Sequence, residues 1–197
     1  MAATRSRRQA DTAQRILDVS ERLVQSRGFN GISYADVAAE LGIAKASLHY
    51  HFPAKADLGQ RLIERYEKNF LAALGRIDAT GKDARDKLRR YAAIYEEVLR
   101  ADRMCLCGML AAEYATLPAP MQAGLTRFFD ANEHWLTAVL EDGLRSGTFS
   151  FKEAAKERAR VLLGALEGAM LVARSYGDPG RFKAAADCLL ADLRAER

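Results

Sequence analysis

The stretch Ser33–Phe52, SYADVAAELGIAKASLHYHF, constrains the chain more than any other. It carries the marks of two short helices around a tight turn. Ser33 is a good N-cap, and Asp36 stands three residues on, the spacing of a capping box. Val37, Ala38 and Leu41 fall on one helical face. Gly42 follows, where a helix end favours a residue free to take positive φ. Ile43 plugs the corner. Residues 44–51 read as a second helix, with Leu48 inward and Lys45, Ser47, His49, Tyr50 and His51 mostly outward. Pro53 disfavours helical geometry at Phe52 and stops it. A helix-turn-helix of this form can lay its second helix in a DNA major groove, first turn towards the bases. The same shape also occurs as a plain helical corner, so the context has to decide.

At 197 residues, 49% hydrophobic and 28% charged, the chain has ample material for a globular core. Ala, Leu, Arg and Glu dominate, and prolines number only 4, which favours an all-α fold. The net charge of +4 permits a nucleic-acid partner without requiring one. Arg5, Arg7 and Arg8 precede any acidic residue, so the N-terminus is either a basic arm towards a phosphate backbone or a solvated tail. No apolar run is long enough to span a membrane, and no signal-peptide core is present. An odd count of 3 cysteines does not make a disulfide framework, which points to a cytoplasmic protein with reduced thiols.

Periodicity divides the chain into nine helices. An amphipathic helix over 11–27 buries Ile16, Leu17, Val19, Leu23 and Val24, and Gly28 ends it. Packed on the two helices above, it makes a three-helix unit too small to be very stable alone. A long fourth helix runs from about 53 to 77, and a fifth covers 84–101. A sixth, 104–116, is apolar nearly all round, as expected of a central core helix. A seventh covers 121–145. An eighth covers 151–175, with Ser150 as its cap. A ninth covers 181–195. The expected division is a helix-turn-helix DNA-binding domain over 1–55 and a larger helical domain over 56–197.

In its first sixty residues the chain resembles the TetR family of bacterial transcriptional repressors. The matching elements are Arg15-Ile16-Leu17, Gly28-Phe29, Ser33, Val37-Ala38, Leu41-Gly42-Ile43, Ser47-Leu48, His51-Phe52, Lys55 and Leu58. Beyond that the resemblance is one of helix layout. It implies that Ser33 caps the second helix and touches a phosphate. It places Ala44, Lys45, Ala46, Ser47, His49, Tyr50 and His51 at the groove, and makes Lys55 a phosphate clamp at the start of the fourth helix. A helix N-terminus with a lysine favours an anion independently. The family's usual Tyr after the leucine of the recognition helix is His49 here, and a poor cap, Ala54, precedes the clamp lysine.

The resemblance also implies a homodimer through the last two helices, for which Gly164, Gly168, Leu189, Leu190 and Leu193 are candidates. Gly164 and Gly168 lie one turn apart, so they either admit a partner helix closely or fit the internal core. A two-fold dimer doubles the site and requires a near-palindromic operator. The family further implies a small-molecule effector pocket, which makes 56–197 an effector-binding and dimerisation domain. Candidates are Tyr66, Phe70, Tyr95, Met104, Cys105, Cys107, Met109, Phe128, Phe129, Trp135 and Met170, although ordinary core packing is the better reading of each. Met and aromatic side chains suit a small, largely apolar effector. Cys105 and Cys107, at the opening of a helix, are either reactive thiols of an electrophile or redox sensor or small buried hydrophobes. Cys188 reads as core.

No catalytic set, phosphate-cradling loop or metal-ligand cluster stands out, so neither an enzyme nor a cofactor is expected. The leading expectation is a repressor released from its operator by an effector. The alternatives are a thiol-based sensor of the same fold and a ligand-independent architectural DNA-binding protein. A packed C-terminal domain would mark the last.

Overall fold

The computed structural model describes residues 2–193, with side chains from Gln9 onward. The side chains of Arg5, Arg7 and Arg8 therefore lie outside the described residues. The described chain is all-α. In order, the helices are α1 (Ala2–Arg27), α2 (Tyr34–Leu41), α3 (Lys45–His51), α4 (Lys55–Thr80), α5 (Ala84–Arg100), α6 (Leu106–Ala112), α7 (Ala119–Arg145), α8 (Ala155–Ser175) and α9 (Pro179–Ala191). One 3-10 turn, Tyr114–Thr116, follows α6. No helix among the described residues is long and apolar enough to cross a membrane.

The chain forms two compact units. The first holds residues up to Glu67 together with Leu106–Leu125, and the second holds Lys68–Cys105 together with the residues from Thr126 onward. In the first unit α1, α2 and α3 close on Ile16, Leu23, Val24, Val37 and Leu48, all nearly or wholly buried. Arg65 on α4 donates to Asp18 at 2.6 Å and to Glu21 at 2.5 Å, tying α4 to α1. Gly59 allows a close approach on α4. A Cβ there would stand 2.5 Å from Met121 Cε and 2.9 Å from the Phe29 ring, distances no side chain tolerates.

In the second unit α5 packs against α8 and α9, and α8 against α9. Its core is aromatic. The Phe70 ring meets Tyr91, Tyr95 and Phe128 edge-on at 5.2–6.1 Å between centres, and Tyr91 stacks on Trp135 at 5.5 Å. Such contacts add to the burial of large apolar surfaces. The Tyr91 hydroxyl donates to Asn132 Oδ1 at 3.0 Å and lies 2.9 Å from the Tyr95 hydroxyl, so these buried polar groups are paired.

Several elements depart from the sequence expectation. The sixth helix begins at Leu106, so Met104 and Cys105 precede it, and it yields after about two turns to the 3-10 turn. The eighth begins four residues late. Phe151 and Arg158 stack as cation and ring, Arg158 also pairs with Glu153, and Ala154 takes the cap position instead of Ser150. The Ser150 N–H instead donates to the carbonyl of Leu193 at 3.0 Å. The ninth begins early because Asp178 accepts from the Gly180 N–H and Pro179 fills the first turn.

Candidate nucleic-acid interface

The helix-turn-helix is assembled by its own residues. Ser33 accepts from the Asp36 N–H at 3.3 Å, and the Ser33 N–H donates to Asp36 Oδ2 at 2.7 Å, closing a capping box. The Ser33 hydroxyl also donates to that carboxylate at 2.6 Å. These bonds hold the Asp36 carboxyl below its usual range, because they favour the ionised form. Gly42 takes φ 65° at the end of α2, and its N–H turns back to the carbonyls of Ala38 and Ala39. Ala44 then caps α3 with extended backbone and no side-chain bond.

Only Leu48 of α3 is fully buried, at 0% exposure. Lys45, Ala46, His49 and Tyr50 are exposed, Ala44 before them also, while Ser47 and His51 are half-buried. Tyr50 is 68% exposed, unusual for a tyrosine with no apolar duty, and its hydroxyl accepts from Gln9 Nε2 at 3.0 Å. Its ring meets His51 edge-on at 5.1 Å. The His49 ring leans on Tyr34 at 4.8 Å, which fixes its direction. A lysine, imidazoles, a hydroxyl and a phenol on the solvent-accessible sides of α3 are donors and acceptors suited to base edges and phosphates.

Lys55 stands differently. Its side chain is half-buried and donates to the Phe29 carbonyl at 2.6 Å, with Nζ 4.5 Å from the centre of the Phe29 ring. Burial lowers its pKa, against the opposing pull of the Glu113 and Asp36 charges. Glu113 is a residue that sequence reasoning missed. It lies in a segment read as apolar nearly all round, yet it accepts from the Phe29 N–H at 2.8 Å.

The pocket candidates divide between the two units. Tyr66, Cys107 and Met109 belong to the first unit. Phe70, Tyr95, Met104, Cys105, Phe128, Phe129, Trp135 and Met170 belong to the second. Phe129, Trp135 and Met109 are half-buried, and the others are buried. Cys105 and Cys107 are at 1% and 0% exposure, so a reagent reaches neither without opening the core. Cys188, expected in the core, is exposed because it follows the outer face of α9. Beside Cys105 lies a group the sequence did not single out. Glu167 has its Oε1 shielded from solvent and without a hydrogen-bond partner. Burial raises its carboxyl to about 7, with a bond from the Cys105 thiol pulling the other way. Among the described residues no group of three His, Cys, Asp or Glu side chains could hold a metal ion.

The dimer candidates also separate. Gly164 and Gly168 face outward, and a Cβ on either would meet nothing within 4 Å, so internal packing does not call for glycine there. Val161, Leu171 and Val172 share the outer side of α8, each more than half exposed. Leu189 and Leu190 are half-buried. Leu193 is 1% exposed, packed within its own protomer.

A capped helix-turn-helix with a polar, open second helix, joined to a larger helical unit, defines a DNA-binding regulator. Residues 16–62 match the model for bacterial regulatory proteins of the tetR family. A TetR-family transcriptional regulator from Agrobacterium tumefaciens superposes with a TM-score of 0.92 at 32% identity, covering 95% of this chain and 100% of that one. The nucleoid occlusion factor SlmA of Colwellia psychrerythraea is 30% identical over 173 residues, 85% of each chain. That of Photobacterium profundum is 28% identical over 155 residues, 77% of this chain and 78% of its own. The chain belongs to the TetR family of transcriptional regulators, whose members bind DNA without catalysis, and its fold goes with duplex DNA and a second copy of itself as partners.

Proposed function

We propose that this protein is a homodimeric DNA-binding regulator of the nucleoid-occlusion type, holding duplex DNA through paired helix-turn-helix units with no small effector required. The observation that carries this reading is the likeness to the SlmA nucleoid occlusion factors. It runs over 85% of both chains and so extends well past the DNA-binding residues. The tight edge-on packing of Phe70, Tyr91, Tyr95 and Phe128 supports it, because an effector there would have to part rings already in contact. Lys45, Ser47, His49, Tyr50 and His51 meet the duplex, with Ala44 and Ala46 close to the bases and Ser33 at a phosphate. The two protomers meet through Val161, Gly164, Gly168, Leu171 and Val172 of α8, with Leu189 and Leu190 of α9, as an exposed apolar stripe at helical spacing requires a cover.

A repressor released by an effector is the second reading. One observation favours it: Glu167 brings an ionisable carboxyl to Cys105 within an aromatic core, a costly placement for packing alone. The deciding experiment is selection of bound DNA from random sequence, followed by titration of the selected duplex with and without small-molecule extract of the host cell. A near-palindromic site held equally in both supports the first reading. Release by the extract supports the second. Failure to enrich any sequence removes both.

A further inference from the structure

Two charges grip one peptide group in the DNA-binding unit. The peptide joining Phe29 to Asn30 gives its carbonyl to Lys55 Nζ at 2.6 Å. Its N–H donates to Glu113, 3.2 Å from Oε1 and 3.3 Å from Oε2. The peptide dipole thus has a cation at its negative end and an anion at its positive end, each through a charge-assisted bond. Glu113 Oε2 also accepts from the Phe29 N–H at 2.8 Å, so one carboxylate holds two successive amides. Asn30 Nδ2 donates to Thr116 Oγ1 at 2.7 Å, a second tie to the same short segment. Gly28, at φ +81°, leaves room for this. A Cβ there would stand 2.6 Å from Glu113 Oε1.

This is not how a residue waiting for a phosphate is held. The ammonium is half-buried, committed to a carbonyl and seated over the Phe29 ring. Reaching a phosphate would cost it both contacts. The turn it holds leads within three residues to Ser33, the cap of α2, and Lys55 itself opens α4.

We propose that Lys55 is a positioning residue and not a phosphate contact, and that Glu113 is its counterpart: together they fix the 28–32 turn, and with it the starts of α2 and α4, from inside the unit. The inference rests on the DNA-binding reading above for its consequence, but the tie itself exists in the free protein.

The test therefore has two arms on the full-length chain. Without DNA, amide hydrogen exchange is followed at Phe29 and Asn30 in the wild type and in Glu113→Gln. Both amides exchange about tenfold faster or more in the variant, as two charge-assisted bonds weaken. Unchanged exchange at both overturns the proposal. If Glu113→Gln does not fold, Glu113→Asp keeps the charge but loses reach, and the same acceleration is expected and the same outcome decides. With the selected duplex, affinity is measured against salt for the wild type, Lys55→Met, Glu113→Gln and the double variant. Each single variant loses about tenfold, the double variant loses no more than the worse single, and the salt slope stays that of the wild type. A slope reduced by about one in Lys55→Met, the mark of one lost phosphate contact, overturns the proposal, as do losses that add. If the wild type binds no duplex, the DNA reading falls while the exchange arm still decides the tie.

Discussion

The hydroxyl of Tyr34 donates to the backbone carbonyl of Phe52 at 2.7 Å, joining the first residue of α2 to the residue that ends α3. The bond is buried and closes the helix-turn-helix from end to end. Tyr34→Phe leaves that carbonyl without its donor, at a cost on the order of 1–2 kcal/mol, read as a lowered urea midpoint with an unchanged slope. Burial, with the Asp57 charge second, raises the Tyr34 hydroxyl from 10.0 to about 12. The contribution of this neutral hydroxyl is therefore full below pH 10 and is lost as pH rises towards 12, a loss absent from the Phe variant.

Glu167 gives the opposite end of the pH scale. Its carboxyl rises from 4.5 to about 7 because burial disfavours the charged form. Between those values the folded state holds a proton that the unfolded state has released, so stability falls as pH rises. Above pH 7 the penalty is on the order of 3 kcal/mol. Glu167→Gln should match the wild type near pH 4.5 and exceed it at pH 8, as checked by thermal melts across that range.

Gly28 and Gly42 both take positive φ, at 81° and 65°, but only Gly28 has a neighbour in the way. Gly42→Ala should cost about 1–2 kcal/mol for backbone conformation alone. Gly28→Ala should cost measurably more, since Glu113 must also move. Equal losses in paired denaturation curves would count against the Glu113 contact.

The outer face of α8 makes a prediction about assembly. Replacing Gly168 with Arg puts bulk and charge where nothing in the protomer stands within 4 Å. The protomer should keep its melting behaviour while sedimentation shifts from dimer to monomer, and the duplex affinity should fall with it.

On α3, Lys45→Met removes an exposed cation without touching the core. A phosphate role for Lys45 lowers affinity on all sequences and reduces the salt slope by about one. A base role instead relaxes preference at one position, by about 1–3 kcal/mol.

How much of this was legible in the residues depended on range. The capping box at Ser33 and Asp36, the left-handed Gly42 and the stop at Phe52 are local events, and the string SYADVAAELGIAKASLHYHF with the Pro53 that follows it contains all their causes. The all-α count and the family were legible for the same reason. Glu113 was hidden because its partners, Phe29 and Asn30, lie more than eighty residues earlier and offer only backbone amides, which leave no trace in side-chain pattern. The late start of α8 was missed because Ser150 looks like a cap, while the pairing of Arg158 with Glu153 and Phe151 spans the would-be first turns. Periodicity placed Leu193 on a face but could not say that its own protomer buries that face, and Cys188 was misjudged by its type, which is usually buried.

The hydrogen on the α-carbon of Gly59 has a historical consequence. Because a Cβ at 59 would stand 2.5 Å from the flexible end of Met121 and 2.9 Å from the Phe29 ring, both neighbours must shift to admit a methyl group. A shorter residue at 121 removes the nearer obstacle, so alanine at 59 should be found more often in lineages that have also changed Met121.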